Sequence, residues 1–295
     1  MRVSGVTPAD DRWEHTGQRA VAPRVSGGAT SGMGTRFGEA AQAYDRVRPR
    51  YPAGIYDWVE ERVARPASVV DVGAGTGIFG AGLTDRGWTV TGVDPDPDLL
   101  RLHPEPGLTG TAEDLPLADG SQDLVTVAQA WHWIDPAAAS AECLRVLGGD
   151  GAVAIVLNQL DVRVEWVLRL ARIMHAGDVY RPAWRPELTG FGPVETTTVP
   201  FTTEVTVETV VELARTRSYW LRSDARIRAR VEGNIREFLG EEGRLLAAAA
   251  GDHREQTGAF RLPYLSLGYL SRPRASVPSH ARPSRPESPG PRPRR

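Results

Sequence analysis

The sequence predicts an α/β fold in which helices cover a doubly wound, mostly parallel sheet. Between residues 68 and 157, short β-branched runs alternate with helical patterns, as is typical of parallel sheets. The first predicted strand ends at Val72, and Gly73, Gly75 and Gly77 follow before the next helical pattern begins. Open sheets of this kind bind ligands at the carboxyl ends of their strands, so we expect a site there.

Length and composition exclude several classes of protein. The 295 residues are 41% hydrophobic and carry a net charge of −2, which describes an ordinary globular chain and favours neither nucleic acid nor a membrane surface as partner. Cys143 is the single cysteine, so no intrachain disulfide can form and no metal is expected. No apolar run approaches the ~20 residues that span a bilayer. Without a signal sequence, we expect a cytoplasmic protein.

Three segments differ in composition. Residues 1–34 mix glycine, serine, threonine and proline without apolar periodicity, and they are predicted to be a disordered leader. Residues 35–271 are predicted to form one folded domain. Residues 272–295, rich in arginine, proline and serine, are predicted to be a disordered tail, and the sequence leaves open whether its basic charge binds a partner.

The glycine turn and the acid that follows it predict a nucleotide-type site. Glycine adopts positive φ without strain and lets the backbone approach a ligand closely. The helix after Gly77 offers free N–H groups and a positive dipole end to an anion. A second strand, residues 88–93, ends on Asp94, about twenty residues beyond the loop, where a nucleotide-binding βαβ unit carries its ribose-binding carboxylate.

The spacing Gly-x-Gly-x-Gly, opened by Asp71, resembles the first motif of class I S-adenosylmethionine-dependent methyltransferases. The resemblance covers about residues 37–270 and implies a seven-stranded sheet with an antiparallel final strand. It implies S-adenosylmethionine as cofactor, with S-adenosylhomocysteine as product. Asp94 and the adjacent Pro95 would then lie at the ribose, and Asp71 would orient the loop or meet the methionine amino group.

A motif before the first strand resembles the N-terminal motif of trans-aconitate methyltransferase-like proteins, the methyltransferase type 11 subgroup. It reads Phe37-x-x-x-Ala41-x-x-Tyr44-x-x-x-Arg48-Pro49-x-Tyr51-Pro52. The resemblance implies a lid with Tyr44 and Arg48 near the methionine end of the cofactor, where a guanidinium can hold a carboxylate. The alternative is a helix that merely covers the sheet edge.

A second stretch, Ala112-Glu113-x-Leu115-Pro116, resembles the methyltransferase segment that flanks the adenine. The resemblance implies that the Ala112 N–H and the Glu113 carboxylate contact the base. Many relatives carry an aspartate at the preceding position, which is Thr111 here. The alternative is an ordinary polar turn.

The predicted fourth strand, residues 124–130, is followed by a Trp-His-Trp sequence. The segment Gln129-Ala-x-His132-Trp133 resembles the family segment that lines the pocket, which implies a cofactor contact for Gln129 and acceptor contacts for Trp131 and Trp133. His132 is a candidate catalytic base because the unperturbed imidazole pKa is near neutrality. Aromatic faces such as Tyr44 or Trp131 could stabilise the sulfonium. Alternatively, both tryptophans pack against the next helix.

Residues 160–192 resemble the small helical cap with which methyltransferases select their acceptors, and Tyr180 and Trp184 are its candidate substrate-binding residues. A solvent-facing connection is the alternative.

The resemblance implies methyl transfer to a small-molecule acceptor, most simply the oxygen of a carboxylate or hydroxyl. A C- or N-methyltransferase of secondary metabolism and a non-catalytic S-adenosylmethionine-binding protein are the alternatives. A nucleic-acid substrate is disfavoured, because the chain lacks an Asn/Asp-Pro-Pro-Tyr/Phe motif after the fourth strand. The oligomeric state is left open.

Overall fold

The computed structural model describes residues 45–63, 68–175, 180, 183–249 and 258–274, with the backbone alone for residues 242–249. The predicted leader, Tyr44 and residues 275–295 lie outside these residues. The described strands are β1 (Ser68–Val72), β2 (Thr89–Asp94), β3 (Gly107–Thr109), β4 (Gln122–Ala128), β5 (Leu147–Leu160), β6 (Glu195–Val205) and β7 (Phe260–Ser271). The helices are α1 (Ala53–Glu60), α2 (Ile78–Thr84), α3 (Pro97–Leu100), α4 (Pro136–Val146), α5 (Glu165–Ile173), α6 (Val207–Arg215), α7 (Ser218–Arg222) and α8 (Ala225–Ala249).

Within the described residues, seven strands form one sheet in the order β3-β2-β1-β4-β5-β7-β6. The strands from β3 to β5 pair in parallel, whereas β7 runs antiparallel to both β5 and β6. The order reverses between β1 and β4, which is the point where such sheets bind ligands. The predicted fold, including the antiparallel final strand, is confirmed.

Helices cover both faces of the sheet because the central strands are apolar on both sides. In β5, Val153 and Ile155 pack on one face with α4, while Ala152 and Ala154 pack on the other with α1 and α2. This double burial is typical of parallel sheets. A third apolar cluster joins the far ends of β5 and β7 to α5, α6 and α8.

Two helices begin at an aspartate whose side chain caps the first turn. The Asp135 carboxylate accepts from the N–H groups of Ala137 and Ala138 and opens α4, and Asp96 accepts from the Asp98 N–H and opens α3. The sequence predicts either Asp96 or Asp98 as the cap of this short helix, and the structure uses Asp96.

Three elements differ from the sequence expectation. The sequence predicts one helix over residues 206–219, and the structure divides it into α6 and α7 at the buried Thr216, whose hydroxyl donates back to the Leu213 carbonyl. The sequence predicts a second helix over residues 223–239, which continues to Ala249 in the structure. It predicts the fifth strand over residues 152–157, and the observed strand is longer because Leu147 already pairs with Gln122 of β4.

The predicted cap, residues 160–192, contains α5 followed by an irregular segment, of which residue 180 and residues from 183 onward are described. The first residues of the predicted tail lie against the domain, where Pro273 forms a β-bridge with Phe191 and Arg274 donates to the Phe191 carbonyl. None of the helices in the described part of the chain is long and apolar enough to cross a membrane.

Candidate active site

The glycine loop after β1 is held by backbone groups. The N–H groups of Gly73 and Ala74 donate to the Val93 carbonyl of β2, at 2.8 and 3.1 Å. Gly73 and Gly75 have φ of +66° and +57°, in the left-handed region where glycine is unstrained. A Cβ at Gly73 would lie 2.4 Å from the Ala130 Cβ, whereas one at Gly75 would meet no atom within 4 Å. The loop therefore packs tightly on β4 at its start and is open at Gly75.

Asp94 ends β2 opposite this loop. Its Oδ2 accepts from the Gly75 N–H at 2.9 Å, and its Oδ1 accepts from the Asp96 N–H at 2.8 Å. Burial raises the pKa of this carboxyl above its ordinary value. Both oxygens are fixed by backbone donors, and each retains a lone pair for a further donor.

Asp71 lies behind the loop at the end of β1 and is 1% exposed. Its Oδ1 accepts from the Thr126 hydroxyl at 2.7 Å. Burial raises the pKa of Asp71 to about 7, so the carboxyl exchanges its proton close to neutral pH.

A cavity of about 250 Å³ opens over the loop at the carboxyl ends of β1, β2 and β4. Among its wall residues, the following were predicted as site residues from the sequence: Arg48, Asp71, Gly73, Gly75, Asp94, Pro95, Gln129 and Trp133. The structure thus brings the glycine loop, the acid after β2, the end of β4 and the arginine of the N-terminal motif to one space.

Two of these wall residues have notable local geometry. Gln129 is a non-glycine residue at φ +58°, and its side-chain amide donates to the Asn158 carbonyl at 2.7 Å. Backbone strain of this kind is concentrated at functional sites. Arg48 donates from Nη2 to the Thr216 carbonyl at 3.1 Å, which links the segment before α1 to the end of α6.

Among the residues that the structure describes, three predicted cofactor residues are not on this wall. Gly77 is the N-cap residue of α2 and packs against His103. Ala112 is buried in the apolar cluster beneath α4, and the Glu113 carboxylate accepts from the Asp135 N–H at 2.9 Å, at the start of that helix. The cofactor contacts predicted for these three residues stay predictions.

The predicted acceptor residues form an aromatic cluster beside the cavity. Tyr180 lies with its hydroxyl 3.3 Å from Nδ1 of His132, and its ring centroid is 4.6 Å from that of Trp184. The His132 ring packs on Trp133 at 4.8 Å, and Trp133 reaches the cavity wall. Residues 131–133 form a 3₁₀ turn in which Trp131, 4% exposed, packs into the core instead. Trp133 is the member of this cluster that lies on the cavity wall.

Comparisons with known proteins identify the family. A methyltransferase domain model matches residues 70–155. An uncharacterized methyltransferase of Mycobacterium tuberculosis is 40% identical over 242 residues, covering 80% of this chain and 94% of that protein. The chain belongs to the class I S-adenosylmethionine-dependent methyltransferases.

More distant similarities to the methyltransferase are found in sequence and in fold. An uncharacterized methyltransferase-like protein of Schizosaccharomyces pombe is 29% identical over 243 residues, covering 77% of this chain and 91% of that protein. A solved structure from Anabaena variabilis, described as a candidate methyltransferase of an antibiotic biosynthesis pathway, superposes with a TM-score of 0.51 at 18% identity, covering 74% of this chain and 98% of that one. This last likeness concerns the fold alone.

The family and fold imply S-adenosylmethionine as cofactor, and the wall residues fit it. A diol can donate to the two Asp94 oxygens, and the open position at Gly75 leaves room for a ligand against the backbone. Among the described residues of the methyltransferase, no group of three or more His, Cys, Asp or Glu side chains could hold a metal ion.

Sequence reasoning missed several wall residues of the methyltransferase. Tyr51 and Phe79 line the cavity with their rings edge-to-face at 4.9 Å, although they lie on separate segments. Leu99 of α3 also lines it, beside Asp94. An apolar residue shortly after the β2 acid was a readable signal for Leu99, whereas the Tyr51–Phe79 contact had no local signal.

Proposed function

We propose that the methyltransferase transfers a methyl group from S-adenosylmethionine to an oxygen of a small-molecule acceptor, a carboxylate or a hydroxyl. The observation that carries the proposal is the single cavity whose wall joins the glycine loop and Asp94 to Arg48, Gln129 and Trp133.

Each part of the wall suits one part of the donor. Asp94 accepts from the ribose hydroxyls, and Leu99 offers an apolar contact to the adenine. Asp71 meets the amino group of the methionine end, and Arg48 holds its carboxylate by charge-assisted hydrogen bonds. The faces of Tyr51 and Trp133 suit the positive sulfonium. When bound, the cofactor supplies an already activated methyl group, so the protein contributes mainly proximity and orientation.

The titratable residues of the wall favour a carboxylate acceptor. Among the described residues, the wall carries Arg48, Tyr51, Asp71, Asp94 and Asp96 but no histidine. A carboxylate is already ionised at neutral pH and needs no general base, whereas a hydroxyl does. For a hydroxyl acceptor, His132 is the candidate base; it is not on the cavity wall, but its ring packs against Trp133, which is.

The test has two steps. Calorimetry with S-adenosylhomocysteine measures donor binding, and transfer of tritiated methyl to a panel of small carboxylic acids, phenols and amines measures turnover. We expect binding, followed by label that alkali releases as methanol from a methyl ester. Absence of binding would overturn the donor assignment. Binding without turnover on any acceptor would favour a non-catalytic protein. Alkali-stable label would exclude a methyl ester, and mass spectrometry of the product would then distinguish the methyl ether of a hydroxyl acceptor from N- or C-methylation, which would contradict the proposal.

His132→Ala separates the two oxygen acceptors. With a carboxylate acceptor we expect kcat to stay within about twofold of wild type, while with a hydroxyl acceptor the loss of a general base lowers kcat by about a hundredfold or more.

A further inference from the structure

We infer that His103 is a positioning residue for the cofactor site, because its imidazole fills the space beneath the glycine loop and sets the loop against β2. The inference rests on the proposed cofactor binding. His103 is not part of the cavity wall and belongs to none of the motifs that the sequence suggested.

The ring is fixed from one side by the backbone that follows it. Its Nδ1 lies 2.9 Å from the Glu105 carbonyl oxygen and 3.1 Å from the Glu105 nitrogen, so one of these two groups bonds to it in either neutral tautomer. His103 is 8% exposed, and its Nε2 is buried without a hydrogen-bond partner. Burial also lowers the pKa of this imidazole, which favours its neutral form.

Three glycines from separate parts of the cofactor site surround the other side of the ring. A Cβ at Gly77, the first residue before α2, would lie 2.7 Å from the ring Cδ2. A Cβ at Gly92 of β2 would lie 2.7 Å from Nε2. One at Gly80 of α2 would meet Val90 Cγ1 at 3.2 Å and Asp71 Oδ2 at 3.3 Å first, with Nε2 at an ordinary contact distance of 3.7 Å. The imidazole thus occupies the volume that side chains at Gly77 and Gly92 would need.

The position of Gly92 supports a requirement for the ring. Gly92 lies within a strand, where glycine is less favourable than alanine. It does not have the positive φ that would otherwise call for glycine. At Gly92, the three nearest atoms to an added Cβ all belong to His103. Glycine is therefore favoured at this strand position because it leaves space for the imidazole.

The elements that the ring separates are those that carry the donor-binding groups. Gly92 lies two residues before Asp94, and Gly77 lies two residues after Gly75, whose N–H donates to the Asp94 carboxylate at 2.9 Å. Without the imidazole, the start of α2 can move toward β2, and the spacing between the loop and Asp94 changes. We therefore expect loss of the ring to weaken donor binding and to leave kcat at saturating donor unchanged.

The experiment compares His103→Ala with Leu170→Ala, a truncation of a fully buried side chain in the cluster around α5, away from the cavity. Calorimetry with S-adenosylhomocysteine gives Kd, and thermal unfolding gives Tm. We expect His103→Ala to raise Kd about tenfold, and Leu170→Ala to lower Tm at least as much with Kd within about twofold of wild type. A Kd for His103→Ala within about twofold of wild type, or equal increases in both variants, overturns the inference.

Gly92→Ala is the second variant and tests the same contact if His103→Ala does not fold. In the wild-type background, the new methyl group collides with Nε2, so we expect Kd to rise about tenfold. In the His103→Ala background, the methyl group enters the vacated space, and we expect Gly92→Ala to raise Kd no further. Additive effects, or an unchanged Kd for Gly92→Ala alone, overturn the inference.

Wild-type binding separates this inference from the function on which it rests. If the wild type does not bind S-adenosylhomocysteine, the proposed function and the inference both fail. If the wild type binds and the His103→Ala and Gly92→Ala variants have the same Kd as the wild type, the inference alone fails.

Discussion

The glycine loop and the helices α6 to α8 are held in place by different kinds of interaction. Backbone bonds and left-handed glycines fix the loop, with the N–H groups of Gly73 and Gly75 bound to β2. The helices between β6 and β7 rest on an apolar cluster, and arginine–glutamate pairs such as Arg215–Glu232 and Arg236–Glu208 lie on their outer side.

This difference explains why the sequence predicts one region better than the other. A loop fixed by its backbone needs particular residues at particular spacings, so the glycine loop has a pattern that can be recognised in the sequence. A region built from side-chain packing tolerates many apolar combinations. The helices α6 to α8 therefore carry little local signal, even though α6 reaches the cavity wall through the bond from Arg48 to Thr216.

Among these variants, Asp94→Ala should have the largest effect on the affinity for S-adenosylhomocysteine. It removes the acceptor of two backbone N–H groups and the proposed partner of the ribose diol, so we expect the Kd of S-adenosylhomocysteine to rise tenfold or more, which is about 1.4 kcal/mol or above. Calorimetry measures it. Asp98→Ala, on the neighbouring helix and outside the cavity wall, is the control. Unchanged affinity in Asp94→Ala would contradict the assignment.

Gly75→Ala tests whether the loop acts through its backbone approach to the ligand. Gly75 and Gly120 have φ of +57° and +63°, and a Cβ at either would meet no atom within 4 Å, so alanine strains both backbones alike. Only Gly75 lies on the cavity wall. We expect similar losses of stability, about 1 kcal/mol each, with a several-fold rise in Kd for Gly75→Ala alone. Equal Kd values in the two variants would place the ligand elsewhere.

Asp71 makes the free energy of unfolding depend on pH. Burial raises its pKa from 3.8 to about 7, so its folded form holds a proton over a range where the unfolded chain has lost it. Its contribution to stability is present in full below pH 3.8 and is lost as pH rises through about 7. Asp71→Asn should therefore gain stability relative to wild type as pH rises over this interval. Urea unfolding from pH 5 to about 8 measures this gain, and parallel curves would contradict it.

Glu232→Gln should have the smallest effect, on the other region. The Glu232 carboxylate receives two bonds from Arg215, at 2.9 and 2.7 Å, and these lower its pKa. Its stabilisation is present at neutral pH and is lost as pH falls through the lowered pKa. We expect a loss of about 1 kcal/mol or less in the free energy of unfolding at pH 7 and no change in Kd. Glu237→Gln, at an exposed residue of the same helix, is the control. A changed Kd would show that the two regions are coupled.

Sequence reasoning succeeded where a residue's position follows from its own strand or turn. The parallel sheet, the position of Gly73, Gly75 and Asp94 at one cavity, and Asp96 as a candidate cap of α3 all follow from local pattern, which predicted no strand order. Reasoning from the sequence could not place the Glu113 carboxylate, because its partner is the N–H of Asp135, far along the chain.

Neighbouring residues can also have different surroundings for reasons that only the fold supplies. In the 3₁₀ turn after β4, Trp131 enters the core while Trp133 faces the cavity, and the aromatic pattern alone gives both the same weight. His132 meets the hydroxyl of Tyr180, a residue from the connection after α5.

By itself, the sequence determined the fold and the kind of donor site, because alternating strands and helices and a glycine turn are local features that constrain the backbone directly. The tertiary structure decided which side chains share the cavity and what lies beneath the loop. No sequence pattern marks Gly92, and the reason for glycine there is visible only because the structure places the His103 ring against it. Packing between distant segments is set by three-dimensional shape, and residue spacing along the chain carries no record of it.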